Sequence, residues 1–278
     1  MTGPRTGGQI LVDQLLIHGA TDAFCVPGES YLAVLDALHD TRGRLDFVLC
    51  RNEGGAAFMA AAWGKLTGAP GLCFVTRGPG ATNAAIGIHT AMQDSVPMLV
   101  FVGQVGTDMR GREAFQEIDY RAVFGTMAKW AVEIDAVDRL PEILARAWTT
   151  ALTGRPGPVV VALPEDMLTC RTGVAPLAGP ARVMEPAPSA EAVEAALGRL
   201  AEAERPLILT GGATWSAAGA AALQGFAEAS DIPVVAAFRY QDQYDNASDC
   251  YCGEAGVGMP PHVRRLIRDA DVILAINI

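Results

Sequence analysis

The chain has 278 residues, half of them hydrophobic, with 31 Asp and Glu against 21 Lys and Arg and a net charge of −10. That length and apolar content support one large core or two ordinary ones. The acidic balance, with no basic block anywhere, argues against nucleic-acid binding through phosphate neutralisation.

Taken in order, Ile10, Leu11, Leu15 and Leu16 fall at helical spacing and predict a helix over 6–18, stopped by Gly19. Phe24-Cys25-Val26 predicts a short strand ending in the turn Pro27-Gly28-Glu29-Ser30, and 31–39 an amphipathic helix. A strand over 47–50 leads through Glu53 into a helix over 56–66. An apolar strand over 71–76 runs into Arg77-Gly78-Pro79-Gly80-Ala81-Thr82-Asn83, and a helix continues to Gln93. The next strand covers 98–103 and reaches Gln104. Residues 106–120 are polar and read as a loop or short helix able to lie over a site. A strand over 129–133, a helix over 141–152 and the rigid turn Gly154-Arg155-Pro156-Gly157-Pro158 follow; the turn enters a strand over 159–163 that Pro164-Glu165-Asp166 ends.

Residues 172–189 shift to Pro, Ala and Gly, with Pro176, Pro180, Pro186 and Pro188, and predict an interdomain linker. Beyond it, helices over 190–203, 217–230 and 261–267 alternate with strands over 206–210, 233–237 and 272–278, with Gly211-Gly212 as a turn. Strands apolar along their whole length, each followed by a turn and a helix, predict a three-layer α/β fold with a mostly parallel sheet. The expected organisation is a domain over 1–171, the linker, and an incomplete Rossmann-like domain over 190–278. Three strands are few for a doubly wound domain, so a further C-terminal piece is expected.

Glu53 lies at a strand-to-helix junction beside Gly54 and Gly55. Such junctions, at the carboxyl ends of parallel strands, are where open α/β sheets hold ligands. Glycines there admit a flat group or a second backbone. An acid near a first helical turn is equally an ordinary cap. Gly78-Pro79-Gly80 is either a backbone platform for a planar group or a tight turn. None of the Gly-rich turns matches the dinucleotide or P-loop pattern, and there is no G-x-S-x-G nucleophile elbow. His18, His39, His89 and His262 lack ligand spacing and read as surface or packing residues. Cys25, Cys50 and Cys73 read as buried small hydrophobes. Cys250-Tyr251-Cys252 is a lone pair without a second, so no metal ligands are assigned. A reduced cytoplasmic protein is expected, with no membrane span, since no apolar run approaches the roughly 20 residues a bilayer needs.

Taken together, Pro27-Gly28-Glu29, Arg51-Asn52-Glu53-Gly54-Gly55-Ala56-Ala57, Thr76-Arg77-Gly78-Pro79-Gly80-Ala81-Thr82-Asn83, Asp94-Ser95-Val96-Pro97, Gly103-Gln104, Ala114-Phe115-Gln116-Glu117, Lys129 and the 154–158 turn occur in a specific order. That order resembles the N-terminal half of thiamine-diphosphate enzymes of the acetolactate synthase and 2-keto acid decarboxylase type. The resemblance is strong over 8–168, and 190–278 looks like the first part of the family's central domain. It implies a pyrimidine-binding domain in which Glu53 hydrogen-bonds N1′ of the aminopyrimidine and so promotes loss of the thiazolium C2 proton. It implies that Pro27, Gly28, Thr76, Gly80 and Asn83 line the cofactor pocket. Gln104, Phe115, Gln116 and Lys129 would face a 2-keto acid substrate. It further implies a homo-oligomer, dimer or tetramer, with thiamine diphosphate and Mg²⁺, and in some relatives FAD or an adenine nucleotide in the central domain.

Departures from acetolactate synthases are Asn52 for the usual His, Arg77 for Ser, Glu29 for a second glycine, and Phe238-Arg239-Tyr240-Gln241-Asp242 in the central-domain turn. Arg77 adds a cation that either meets an acidic substrate or pairs with a carboxylate. These differences fit a 2-keto acid decarboxylase or carboligase as well as a true acetolactate synthase. The family's Gly-Asp-Gly metal and diphosphate motif does not occur. The chain is therefore expected to be a piece of a longer enzyme or one subunit of a split one, inactive alone. The alternatives are a non-catalytic assembly module and a nucleotide-binding protein using Gly211-Gly212.

Overall fold

A computed structural model describes residues 3–41 and 43–278. Contacts divide the chain into two compact units between Met184 and Glu185.

In the first unit, β1 (Arg5–Thr6) leads into α1 (Gly7–Ile17). Thr6 caps that helix reciprocally: its hydroxyl accepts the Gln9 N–H, and the Gln9 side chain accepts the Thr6 N–H. Then follow β2 (Asp22–Cys25), α2 (Leu32–His39), β3 (Asp46–Leu49), α3 (Glu53–Thr67), β4 (Gly71–Val75) and α4 (Gly78–Gln93). After these come β5 (Met98–Gln104), α5 (Tyr120–Phe124), β6 (Trp130–Glu133), α6 (Leu140–Leu152), β7 (Pro158–Pro164), α7 (Glu165–Thr169) and β8 (Arg171–Thr172). β1 and β8 pair antiparallel and tie the ends of the unit together.

The other six strands form one parallel sheet in the order β3-β2-β4-β5-β7-β6. β4, β5 and β7 are buried along their whole length. Alternate residues feed opposite faces, as the pleat requires. Leu72, Phe74, Leu99, Phe101, Val159 and Val161 pack against α1, α2 and α6. Cys73, Val75, Val100, Val102, Val160 and Ala162 pack against α3, α4 and α5. This is the three-layer arrangement that uniformly apolar strands predict, and each fully buried large apolar side chain in it contributes about 1.5–3 kcal/mol.

The two faces differ in how closely helices approach. α3 and α4 present Ala56, Ala57, Ala60, Ala84 and Ala91 to the core. A Cβ on Gly87 would lie 2.5 Å from the Ala57 Cβ, and one on Gly71 would lie 1.8 Å from the Ala60 carbonyl oxygen. Small residues thus seat α3 tightly on α4 and β4, which fixes where α3 begins and so where Glu53 stands.

The second unit contains α8 (Ala190–Glu202), β9 (Pro206–Thr210), α9 (Ala217–Ser230), β10 (Val234–Ala237), β11 (Tyr251–Ala255), α10 (Pro261–Asp269) and β12 (Val272–Ile276). Its sheet is parallel, in the order β11-β10-β9-β12. β11 corrects the expectation of three strands. It carries Cys252 and Gly253 in a half-buried run, and its register slips between Val234 and Val235, so no clean apolar pattern announced it. α5 and α7 also escaped the sequence reading, because five residues are too few to show a helical period. None of the described helices is long and apolar enough to cross a membrane.

Candidate active site

The carboxyl ends of β2, β4 and β5 converge on one cluster. Asn52 caps α3, its side chain accepting the Gly55 N–H at 3.2 Å. The cap is therefore the neighbour's task and not that of Glu53, which opens the helix with a half-buried carboxylate. The positive end of the helix favours that negative charge. One carboxylate oxygen accepts the Asn83 side-chain N–H at 3.0 Å. The other faces Gly80, where a Cβ would stand 3.4 Å away.

Thr76 follows β4, and its hydroxyl shares a 2.9 Å hydrogen bond with Ser30. A Cβ on Gly28 would lie 2.5 Å from the Thr76 Cβ and 2.7 Å from its hydroxyl. A Cβ on Gly80 would lie 3.1 Å from the Thr76 methyl. Ser30 reaches this place only because Gly103 has no side chain: a Cβ there would be 1.9 Å from the Ser30 hydroxyl. Gly28, Thr76, Gly80, Asn83 and Glu53 are thus one contiguous group, with exposed Pro27 leading into it from β2. Ser30 belongs to the group although the sequence shows it only as part of the turn after a strand; its place in that turn is the available signal.

Arg77 is not a free cation. Its guanidinium donates to Glu29 at 3.1 Å and also pairs with Glu165. Of the two roles open to it from the sequence, the structure shows pairing with carboxylates. In the sequence Glu165 shows only as part of the end of a strand.

The substrate-side candidates divide. Gln104 is buried, with its amide N–H donating to the Ile118 carbonyl and its amide oxygen accepting the Val105 N–H, at 3.2 and 3.0 Å. It anchors the 106–120 loop rather than pointing an open group outward. That loop lies against the start of α4, where the Gly78 N–H donates to the Gln116 carbonyl at 3.0 Å. Gln116 adopts a positive φ of 65°, and Phe115 beside it is 70% exposed. The Glu117 carboxylate holds the loop from inside by accepting the Gly111 and Ala114 N–H groups, at 2.7 and 3.3 Å. Lys129 is not brought to this cluster. It precedes β6, its N–H bonds the Pro158 carbonyl at the start of β7, and its ammonium contacts the Thr153 carbonyl. That is the amino end of parallel strands, the opposite edge of the sheet from Glu53, so the grouping of Lys129 with Gln104 and Gln116 is not seen within this chain.

His18 and His262 engage main-chain carbonyls, those of Gln14 and Cys252. Among the described residues no group of three or more His, Cys, Asp or Glu is arranged to hold a metal ion. In the second unit, Gly212 at φ +68° packs against Asn277, whose carbonyl oxygen would stand 2.3 Å from a Cβ.

Comparison with known proteins assigns the family. Residues 5–123 match the family model described as thiamine pyrophosphate enzyme, N-terminal TPP binding domain. Residues 193–278 match thiamine pyrophosphate enzyme, central domain. The chain is 32% identical over 271 residues to the acetolactate synthase isozyme 2 large subunit of Escherichia coli (strain K12), an alignment covering 98% of this chain and 49% of that protein. It is 34% identical over 278 residues to the isozyme 3 large subunit of the same organism, covering 98% and 48%. Against the acetolactate synthase large subunit of Parasynechococcus marenigrum (strain WH8102) it is 34% identical over 285 residues, covering 99% and 46%. The chain spans about half the length of the curated relatives it matches. With both family models matching in order, and with relatives aligned over nearly all of its residues, the chain belongs to the thiamine pyrophosphate enzyme family and is related to acetolactate synthase large subunits.

Proposed function

We propose that this chain forms the aminopyrimidine side of the active site of a thiamine-diphosphate-dependent enzyme that acts on 2-keto acids by decarboxylation, carboligation or both. The observation that carries the reading is Glu53, relieved of capping by Asn52 and oriented by Asn83 above a cradle of Gly28, Thr76 and Gly80. Neither glycine has room for a side chain beside Thr76, so this edge of the site stays bare backbone that a flat ring can approach. Among the described residues no group of three or more His, Cys, Asp or Glu could hold the metal, so no step is assigned to the metal or the diphosphate.

Bound thiamine diphosphate supplies a nucleophilic carbon and an electron sink for cleaving the bond beside a keto group. The chain's own contribution is placement and proton control. Glu53 would hold a proton against the ring nitrogen that faces it. Asn83 keeps one carboxylate oxygen engaged, which points the other toward the cradle. Gln104 and Glu117 fix the 106–120 loop, which carries Phe115 and Gln116 beside the entrance of α4. A second copy of the chain is the occupant proposed for the exposed apolar stripe of Phe58, Met59 and Leu66 on α3 with Ile86 on α4. An apolar surface this close to the site favours an oligomer.

The test is Glu53→Gln in the full-length protein that contains this chain. Thiamine diphosphate affinity should stay within a few-fold, while turnover of 2-keto acids falls about 10²–10⁴-fold, the range for loss of a positioned acid–base group. Turnover at the wild-type rate would sink the assignment.

A further inference from the structure

Arg77 stands between Thr76, which lines the cradle, and Gly78, which opens α4. Its side chain keeps only 10% of its exposure. One guanidinium nitrogen donates to Glu29, next to Gly28, and another to Glu165, the first residue of α7. The following residue, Asp166, accepts the Thr107 N–H at 3.1 Å and also the Thr107 hydroxyl. The N–H of Gly78 is meanwhile held by the Gln116 carbonyl. Side chain and backbone at 77–78 therefore join the turn after β2, the loop after β5 and the helix after β7.

We propose that Arg77 is a positioning residue that, through Glu29 and Glu165, sets how the 27–30 turn and the start of α4 stand relative to each other beside Glu53, where the aminopyrimidine ring would lie. This rests on the cofactor reading given above. A role as receptor for a substrate anion is disfavoured, because an incoming carboxylate would have to displace one already at hydrogen-bonding distance. The energetics point the same way. A buried guanidinium needs its partners to offset desolvation. Glu29 and Glu165 are 70% and 41% exposed and stay hydrated. Removing Arg77 thus leaves no buried unpaired charge. It removes the bridge that ties the 27–30 turn and α7 to the start of α4, so the cradle loosens while the rest of the fold stands.

The experiment compares wild type, Arg77→Met, Arg77→Lys and Glu165→Gln in the full-length protein that contains this chain. In hydrogen exchange, amides at 28–31 and 78–81 of Arg77→Met should exchange roughly tenfold faster, with α1 and α6 unchanged, the pattern of a local opening. Glu165→Gln, which keeps the Arg77–Glu29 pair, should show a smaller change in the same segments. Unchanged exchange, or uniform acceleration throughout the unit, overturns the proposal. Calorimetric titration with thiamine diphosphate should show affinity lowered about tenfold in Arg77→Met and partly restored in Arg77→Lys, whose ammonium keeps the charge without the two-pronged geometry. Equal affinity in wild type and Arg77→Met overturns the positioning role. A wild type that binds none counts against the cofactor reading alone, and the exchange pattern then supports or overturns the linkage by itself.

Discussion

The Asn83 side chain donates to the Glu53 carboxylate across 3.0 Å, joining the early turns of α3 and α4 over the carboxyl edge of the sheet. A carboxylate on the first turn of a helix can adopt several rotamers; this bond selects one. Asn83→Ala should therefore leave Glu53 in place but less well aimed. The expected loss in turnover of the full-length protein is about tenfold, the size of one hydrogen bond to a charged group. It should be smaller than the loss from Glu53→Gln. Equal losses in the two variants would mean that Asn83 does more than orient.

Gly28 and Gly80 separate two degrees of crowding. Gly28 has extended backbone, φ −148°, so alanine adds no dihedral strain there. Its new methyl would nevertheless meet Thr76 at 2.5 Å, closer than side chains pack. At Gly80 the same methyl would stand 3.1 Å from the Thr76 methyl and 3.4 Å from the Glu53 carboxylate, a contact that small shifts relieve. Gly28→Ala should abolish the rise in melting temperature on adding thiamine diphosphate, and Gly80→Ala should only reduce it. A full ligand-induced rise in Gly28→Ala would exclude it from the cradle.

Much of this was legible beforehand, and the reasons are specific. β4 and β7 are apolar at every position and β5 is so up to Gln104, and both faces are in fact covered. Ile10, Leu11, Leu15 and Leu16 fall at helical spacing ahead of Gly19, and α1 covers them. Glu53 was visible as an acid between a strand and a helix. That Asn52 takes the capping role was not, because both residue types cap helices. The pairing of Arg77 with Glu29 and Glu165 spans separations of 48 and 88 residues, beyond any local pattern. Lys129 shows the opposite failure: a short apolar stretch fixed its strand, but only the parallel topology reveals at which end of the sheet it lies.

His18 gives the fold a pH dependence of definite sign. Burial beside Trp148 lowers its pKa from the ordinary 6.5, partly opposed by the 2.7 Å bond to the Gln14 carbonyl. The unfolded chain therefore binds the proton more readily, and stability rises with pH across that window. The contribution is fully present above pH 6.5 and is lost as pH falls through the lowered folded value. His18→Phe keeps the ring contact and removes the titration. Urea unfolding should show wild type losing more stability than His18→Phe between about pH 7 and pH 5. Parallel losses would place the pH response elsewhere.

Arg155 closes the far end of the helix that carries Asn83. Its guanidinium donates to the Ser95 hydroxyl at 2.8 Å and to the Met92 and Gln93 carbonyls at 2.9 and 3.2 Å. These carbonyls belong to the last turn of α4, where Met92 also accepts the Ser95 N–H at 3.4 Å and the guanidinium adds a charged donor. A cation there also meets the negative end of the helix dipole. Arg155→Met keeps the aliphatic stem and removes both effects. The expected cost is about 1–2 kcal/mol, seen as a lower urea midpoint with an unchanged slope. Arg155→Lys retains the charge but not the fork, so its midpoint should fall between the two. If lysine matched arginine, the dipole alone would account for the effect; if it matched methionine, the hydrogen bonds would. A midpoint unmoved in Arg155→Met would show that water satisfies these carbonyls as well as the guanidinium does.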